Sequence, residues 1–417
     1  LITFEGVTKR YPGGTVALDD VSLECPTGRI TVFVGTSGGG KTTALRTINR
    51  MVDPTSGRVL IDGQDVRERK PAELRRGIGY VIQHAGLFPH RTIVDNIATV
   101  PYLVGWNKKK ARARALELME RVGLDPAMGK RYPFQLSGGQ QQRVGVARAL
   151  AADPPIMLMD EPFSAVDPVV RGELQDEFLR LQDELHKTIV FVTHDIDEAI
   201  KLGDRIAVFE TGGRLVQFDS PEDLLARPAN DFVAGFIGRD RGIRRLSFVP
   251  AASVPLNERG VLPAGTPVAE APSEGWVLVV DGDRRPLGWA AAGDLPSGGV
   301  LGDARLAPVG HTFDAGADSV RAALDAAILS PSGRAVAVDA GGRLAGIADQ
   351  RDLTAAITRS AVGTEPAAAG SAADTEPAAD AEPATDAEPA TDAEPATDAE
   401  PATDAEPGAP TLSKEGG

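Results

Sequence analysis

The sequence contains one cysteine, Cys25, in 417 residues, which excludes an internal disulfide framework. So sparing a use of thiols suits a reducing compartment, and Cys25 reads as a small core residue. Long hydrophobic runs are missing as well. No stretch approaches the roughly 18 consecutive apolar residues that a membrane-spanning helix needs. The first residues also lack the basic, apolar, small-residue order of an export signal. The chain opens at Leu1 rather than Met, which leaves its natural start open. Hydrophobic content of 42% and charged content of 25% are ordinary for a globular protein, and the length allows two or three domains.

The formal net charge of −15 is unevenly placed. Fourteen acidic residues and a single lysine lie from Thr364 onward, so the tail carries −13 and the rest of the chain is close to neutral. The acidity therefore belongs to the tail and says little about the partners of the main fold. Nucleic acid is not expected among them.

Three regimes follow one another. Residues 1–238 alternate short β-rich runs with helical patterns, an α/β rhythm. The runs Ile30–Val34, Ile156–Met159 and Thr188–Val192 are continuously apolar, which suits strands covered on both faces. Residues 239–250 read as a linker. Residues 251–362 are rich in Gly and Ala and divide into two similar halves, 251–304 and 305–362. Residues 363–417 repeat Thr-Asp-Ala-Glu-Pro-Ala from Thr385, with nothing to pack, and are expected to be disordered.

Chemistry concentrates in the first region. Gly35, Thr36, Ser37, Gly38, Gly39, Gly40, Lys41 and Thr42 fit the phosphate-binding pattern G-x-x-x-x-G-K-[ST], with Thr43 next. The pattern follows a predicted strand and precedes a helical run over Thr43–Met51, where backbone N–H groups and a helix N-terminus cradle phosphate. Lys41 is placed to reach the β- and γ-phosphates and Thr42 to bind Mg²⁺. A second apolar strand ends in Asp160-Glu161. Asp160 would hold Mg²⁺ through water, and Glu161 would orient attacking water and accept its proton.

Between these motifs stands Leu136-Ser137-Gly138-Gly139-Gln140, where Ser137 and the glycines open a helix of roughly Gly138–Ala151. With this pentapeptide the sequence resembles the ABC ATPases across residues 1–238, motif by motif and in the family's order. The fold this implies is an α/β phosphate-loop ATPase domain with a helical subdomain. The resemblance implies further roles: Tyr11 stacking on adenine, and Gln83 sensing Mg²⁺ and water. It places Asp167, in Ser164-Ala-Val-Asp167, on a loop crossing between subunits, and His194 at the γ-phosphate. Val166 stands where Leu is commoner, and Gly39 where Ser or Cys is often found. It also implies ATP and Mg²⁺ as cofactors and a homodimer with two nucleotides at its interface, Ser137, Gly138, Gly139 and Gln140 facing the partner's γ-phosphate.

One cassette, no fused membrane helices and no long heptad region leave an importer subunit that docks on separate permease proteins. The segment from His84 to Pro101, with Leu87 and Phe88, is the expected docking surface, and the continuation Ser220–Leu225 is similar to that of glycine betaine, carnitine and choline importers. In those, a pair of CBS modules follows the ATPase, which agrees with the two similar halves of residues 251–362. Gly288 precedes Asp294 by six positions, as Gly346 precedes Asp352. At the positions where nucleotide-binding CBS modules carry Thr or Ser stand Ala291 and Asp349, so nucleotide binding there is not expected. The resemblance places the chain on the cytoplasmic face of a membrane, with an extracytoplasmic solute-binding protein as an indirect partner. Import of another small solute such as amino acids, or a regulatory ATPase without a permease, stays open. A basic junction, Arg239 to Arg245, and the acidic tail suggest salt-dependent attraction.

Overall fold

A computed structural model describes residues 1–362 apart from 84, 85 and 165. The tail expected at 363–417 lies outside the described residues.

Two long strands open the chain. β1 (Ile2–Arg10) and β2 (Val16–Cys25) pair antiparallel with Ile2 opposite Cys25. Next comes β3 (Ile30–Gly35), buried at every position, and then helix α1 (Lys41–Ile48). The helix starts two residues before the run read from the sequence and ends sooner, because Arg50 takes φ 54°, a left-handed value. β4 (Ser56–Ile61) returns to pair with β1, and β5 (Gln64–Asp65) completes that sheet. Short α2 (Pro71–Arg76) leads to β6 (Ile78–Val81). A helical excursion then runs through α3 (Ile93–Ile97), α4 (Thr99–Leu103), α5 (Lys108–Arg121) and α6 (Gly138–Leu150). The remaining α/β units are β7 (Ile156–Asp160), α7 (Pro168–Leu185), β8 (Thr188–Val192), α8 (Ile196–Leu202), β9 (Arg205–Glu210) and β10 (Arg214–Asp219). Three short helices leave the cassette: α9 (Pro221–Ala226), α10 (Asp231–Ile237) and α11 (Arg241–Arg245).

The central sheet has the order β10-β9-β3-β8-β7-β6, parallel except for β10. Period-two alternation sends its side chains to two separate cores. Val32 and Val34 of β3, Met157 and Met159 of β7, and Ile189 and Phe191 of β8 join the helices of one layer. Phe33, Leu158, Val190 and Val192 join α1 and the antiparallel sheet on the other. Each large aliphatic side chain buried this way contributes roughly 1.5–3 kcal/mol. Coverage of both faces is why these strands read as unbroken apolar runs.

The C-terminal region holds two three-stranded sheets of identical order. β11 (Val261–Pro263) runs parallel to β12 (Trp276–Val280), which pairs antiparallel with β13 (Pro286–Ala291). β14 (Thr312–Asp314) runs parallel to β15 (Ala335–Val338), which pairs antiparallel with β16 (Leu344–Ala348). The second half has α12 (Val320–Leu329) between its parallel strands and α13 (Gln350–Val362) after them. In the first half residues 264–275 cross without an α-helix. Pro267 and Pro272 lie inside that stretch, removing donors and restricting the residues before them, and only the 3₁₀ turn Val268–Glu270 forms. One core cluster, containing Leu278, Trp289, Val336 and Ile347, spans both sheets.

Residues 239–250 contain α11 and a 3₁₀ turn, Leu246–Phe248. Leu246 is buried with Phe313 and Val320 of the C-terminal region, whereas Phe248 packs against the core of the cassette. The segment is thus packed chain on both sides. Among the described residues no helix is long and apolar enough to cross a membrane.

Candidate functional site

The site gathers at the C-terminal ends of parallel strands, where an open α/β sheet binds ligands. Gly35 ends β3 with φ 145°, and a Cβ there would stand 1.9 Å from the Phe209 carbonyl oxygen. Gly40, with φ 79°, caps α1, and a Cβ there would meet the Ala17 carbonyl at 1.9 Å. Only glycine fits either position, so the turn between strand and helix is fixed by backbone sterics. The loop and helix start, Gly35 to Thr43, line an open cleft of about 600 Å³ together with Glu161, His194 and Phe236.

Lys41 is buried and donates to the carbonyl oxygens of Gly35 at 2.9 Å and Thr36 at 2.8 Å. Burial lowers its pKa, while Glu161 and Asp160 favour its charge. The ammonium group is thereby held beneath the loop, aimed where phosphate oxygens would arrive. Thr42 donates from its hydroxyl to Asp160 Oδ1 at 2.9 Å. Arg46, one turn further along α1, stands 3.5 Å from Asp160 Oδ2.

Glu161 follows β7 with φ 46°, a left-handed conformation that costs of order 1–3 kcal/mol in a non-glycine residue. Its amide donates to the Val192 carbonyl at 3.0 Å, and the Ser164 hydroxyl donates to its carbonyl at 2.9 Å. These bonds hold the strained turn. The side chain meets two others at one atom: Gln83 Nε2 donates to Oε2 at 3.2 Å, and His194 Nδ1 lies 3.2 Å from the same oxygen. Gln83 follows β6, Glu161 follows β7 and His194 follows β8, three strands adjacent in the sheet. His194 is steadied from behind, where Asp195 caps α8 by accepting from the amides of Asp197 and Glu198. Thr193 donates to buried Glu198 at 2.7 Å.

Ser137 caps α6 in a reciprocal box. Its hydroxyl accepts from the Gln140 amide at 3.3 Å, and Gln140 Oε1 accepts from the Ser137 amide at 3.0 Å. Ser137 and Gly138 are exposed, and a Cβ on Gly139 would meet nothing within 4 Å. Ser137, Gly138, Gly139, Gln140, exposed Asp167 and half-exposed Tyr11 are not among the residues lining the cleft. The predicted site therefore falls into one assembled group and a second, outward-facing group. Lys9 lies over the Tyr11 ring at 5.2 Å.

Phe236 and Arg46 were not singled out in the sequence. Phe236 belongs to an ordinary helical pattern, and no local signal marks it. Arg46 stands four residues after Thr42, a spacing that puts both on one helix face and was legible once Asp160 had been paired with Thr42.

The donor set suits a hard cation. Thr42 supplies a hydroxyl and Asp160 a carboxylate beside the phosphate cradle, in keeping with Mg²⁺, which takes few protein oxygens and keeps water and phosphate ligands. Among the described residues no cluster of three or more His, Cys, Asp or Glu forms a closed metal cage.

A strand–loop–helix phosphate cradle with a strand-end carboxylate pair and a convergent glutamine and histidine defines a phosphate-loop nucleotide hydrolase. The ABC transporter family model matches residues 18–164. Over 302 residues the chain is 49% identical to the osmoprotectant import ATP-binding protein OsmV of Salmonella typhimurium, covering 69% of this chain and 78% of that protein. Identity with the choline transport ATP-binding protein OpuBA of Bacillus subtilis is 52% over 247 residues, 59% of this chain. That match spans 65% of the Bacillus protein's length. The glycine betaine uptake system ATP-binding protein YehX of Escherichia coli is 50% identical over 59% of this chain and 80% of its own. Among solved structures, cbiO1 from Clostridium perfringens, part of an ABC transporter complex, aligns with a TM-score of 0.51 at 27% identity, covering 55% of this chain and 91% of that one. The chain belongs to the family of ABC transporter ATP-binding proteins.

Proposed function

We propose that this chain hydrolyses ATP to drive import of glycine betaine or a related quaternary-amine osmoprotectant through separate permease subunits. The observation that carries the reading is the convergence of Gln83 and His194 on Oε2 of Glu161, beside the Thr42–Asp160 pair and over the phosphate cradle. Lys41 and the amides of the loop bind the phosphates. Glu161 accepts a proton from water held against the γ-phosphate, Gln83 orients that water, and His194 fixes the carboxylate and donates toward the phosphate oxygens. Thr42, with Asp160 through water and Gln83 alongside, would hold Mg²⁺, which neutralises phosphate charge when bound.

The outward-facing group completes the reading as a homodimer. The N-terminus of α6, rigidly capped and bare at Gly139, offers backbone amides to the nucleotide of a second copy. Asp167 lies on the crossing loop, and Tyr11 stacks on adenine. The docking surface for the permease is the loop around Phe88. Solute would arrive from an extracytoplasmic binding protein, with this chain peripheral on the cytoplasmic face. The two C-terminal sheets are a tandem CBS-like module used for packing: Asp349, at the position where a nucleotide-binding module carries a hydroxyl, is paired with Arg334 at 2.6 Å.

The test is uptake and ATP turnover in liposomes holding the full chain with its permease and binding protein, across a salt series. Betaine-driven uptake that Glu161→Gln abolishes, with ATP binding retained, supports the reading. ATP turnover without betaine movement removes the substrate assignment, and absence of turnover removes the ATPase.

A further inference from the structure

We propose that Arg244 is a positioning residue for hydrolysis, tying the junction between cassette and C-terminal module to the helix that begins beside His194. The proposal rests on the ATPase reading of the cleft. Arg244 uses its whole guanidinium. Nε and Nη2 take the Asp197 carboxylate in a fork at 2.8 and 3.2 Å, Nη2 also reaches Asp240 at 3.3 Å, and Nη1 donates to the Ile237 carbonyl. The arginine is mostly buried, so this is not one of the solvated arginines expected of a linker.

Two of these partners, Asp197 and Ile237, lead to the catalytic cleft. Asp197 lies in the first turn of α8, and its amide donates to Asp195 Oδ1 at 2.8 Å. Asp195 is bonded to His194 in the chain, and His194 reaches Glu161 at 3.2 Å. Ile237 ends α10, and its carbonyl is one that the helix leaves without an internal partner. The preceding residue, Phe236, lines the cleft and stacks on Phe232 at 6.3 Å. On its other side, α11 runs directly into Leu246, buried in the C-terminal core.

One side chain therefore binds the end of α10, which brings Phe236 to the cleft, and the start of α8, whose cap Asp195 directly follows His194. His194 itself is 64% exposed, so its placement depends on the backbone that carries it. Next to the fork lies an open cleft of about 660 Å³ lined by Asp197, Lys201, Asp240 and Arg321. A planar bidentate pair sets orientation as well as distance, which a lysine cannot reproduce. The junction thus bears on the placement of His194 through a rigid contact that does not involve the phosphate loop.

Arg244→Ala in the full-length protein is expected to lower kcat about five- to tenfold with the ATP KM within about twofold, since catalytic geometry changes and phosphate binding does not. Amides of residues 194–198 should exchange with solvent about tenfold faster, a readout independent of turnover. Arg244→Lys should fall between, and Asp197→Asn, a change at an exposed carboxylate, should shift both readouts in the same direction by a smaller factor, because its amide oxygen keeps one acceptor for the fork. Arg321→Ala, in the same open cleft but paired with Asp325, should behave as wild type. Wild-type kcat in both Arg244→Ala and Asp197→Asn overturns the proposal. If the wild-type protein does not turn over ATP, the ATPase reading fails separately and the exchange rates decide: wild-type exchange at 194–198 in Arg244→Ala overturns the link, and faster exchange supports it.

Discussion

The Thr42 hydroxyl donates to Asp160 Oδ1 across 2.9 Å, joining residues 118 positions apart. The bond exists because α1 packs against the ends of β7 and β8, so a residue of its first turn faces the end of β7. Asp160 is 5% exposed and its other oxygen faces Arg46 at 3.5 Å, so both oxygens of the buried carboxylate have a partner.

Replacing that hydroxyl isosterically separates two roles. Thr42→Val should cost about 1.5–3 kcal/mol of stability, the range for a hydrogen bond to a charged group. Its Mg²⁺-dependent ATP turnover should fall by about 10²-fold or more, because charge stabilisation at the phosphates is lost. Chemical denaturation and an ATPase assay over a Mg²⁺ series check both. Full turnover in the variant would remove Thr42 from the metal site.

Gly139 tests whether the start of α6 serves a second copy. Its Cβ would be unopposed within the chain, and alanine is the better helix former by up to about 1 kcal/mol. Gly139→Ala should therefore raise the melting temperature slightly while lowering turnover sharply. Ser137→Ala should lose about 1 kcal/mol through the broken cap. Calorimetry beside an ATPase assay reads the opposed signs, and unimpaired turnover in Gly139→Ala argues against close approach of a nucleotide there.

Glu198 predicts a pH effect. Burial raises its pKa above the usual 4.5, with Asp195 acting in the same direction and Thr193, Gln175 and Arg171 against it. Between 4.5 and the raised native value, the folded chain holds this proton more firmly than the unfolded chain. This residue's contribution to stability therefore falls as pH rises through that window and is recovered as pH drops back. Glu198→Gln should remove that part of the slope. Denaturation midpoints taken from the acid side to neutrality measure it, and identical slopes in both proteins would count against the assignment.

Two residues of the segment from Gly86 to Pro101, Asn96 in α3 and Phe88 in the loop before it, should behave differently. Asn96 is fully buried, accepts from the Phe88 amide at 2.7 Å and donates to the carbonyls of Phe88, Arg91 and Thr92. Asn96→Ala removes the partner of the Phe88 amide and of the Arg91 carbonyl, while the Phe88 and Thr92 carbonyls keep the amides of Arg91 and Asn96. The change should cost about 1–3 kcal/mol. Phe88 is 39% exposed beneath Arg91, at 5.0 Å from its ring. Phe88→Ala should keep the fold and its basal ATP turnover but weaken co-purification with the permease. Undiminished co-purification would move the docking surface elsewhere.

Much of the cassette was legible in the sequence, each part for a local reason. Strands β3, β7 and β8 appeared as apolar runs because both faces are covered. The phosphate loop was marked by glycines whose left-handed or crowded positions exclude a Cβ. Ser137 and the glycines after it marked the start of a helix, and the reciprocal cap with Gln140 emerged from the structure. The two C-terminal sheets were foreshadowed by the two similar halves of residues 251–362, whereas the absence of an α-helix over 264–275 emerged only in the structure, where Pro267 and Pro272 account for it.

Residue chemistry and backbone preference, which act over a few positions, were determined by the sequence alone: that Ile30–Val34, Ile156–Met159 and Thr188–Val192 form strands, that a helix opens after Ser137, and that a glycine-rich turn carries Lys41 and Thr42. Only the tertiary structure decided that Gln83 and His194 share one oxygen of Glu161, that Phe236 lines the cleft, and that Arg244 reaches Asp197. The reason is the sheet order. β6, β7 and β8 become neighbours through pairing across long insertions, and contacts made that way leave no periodic trace in the chain that folds into them.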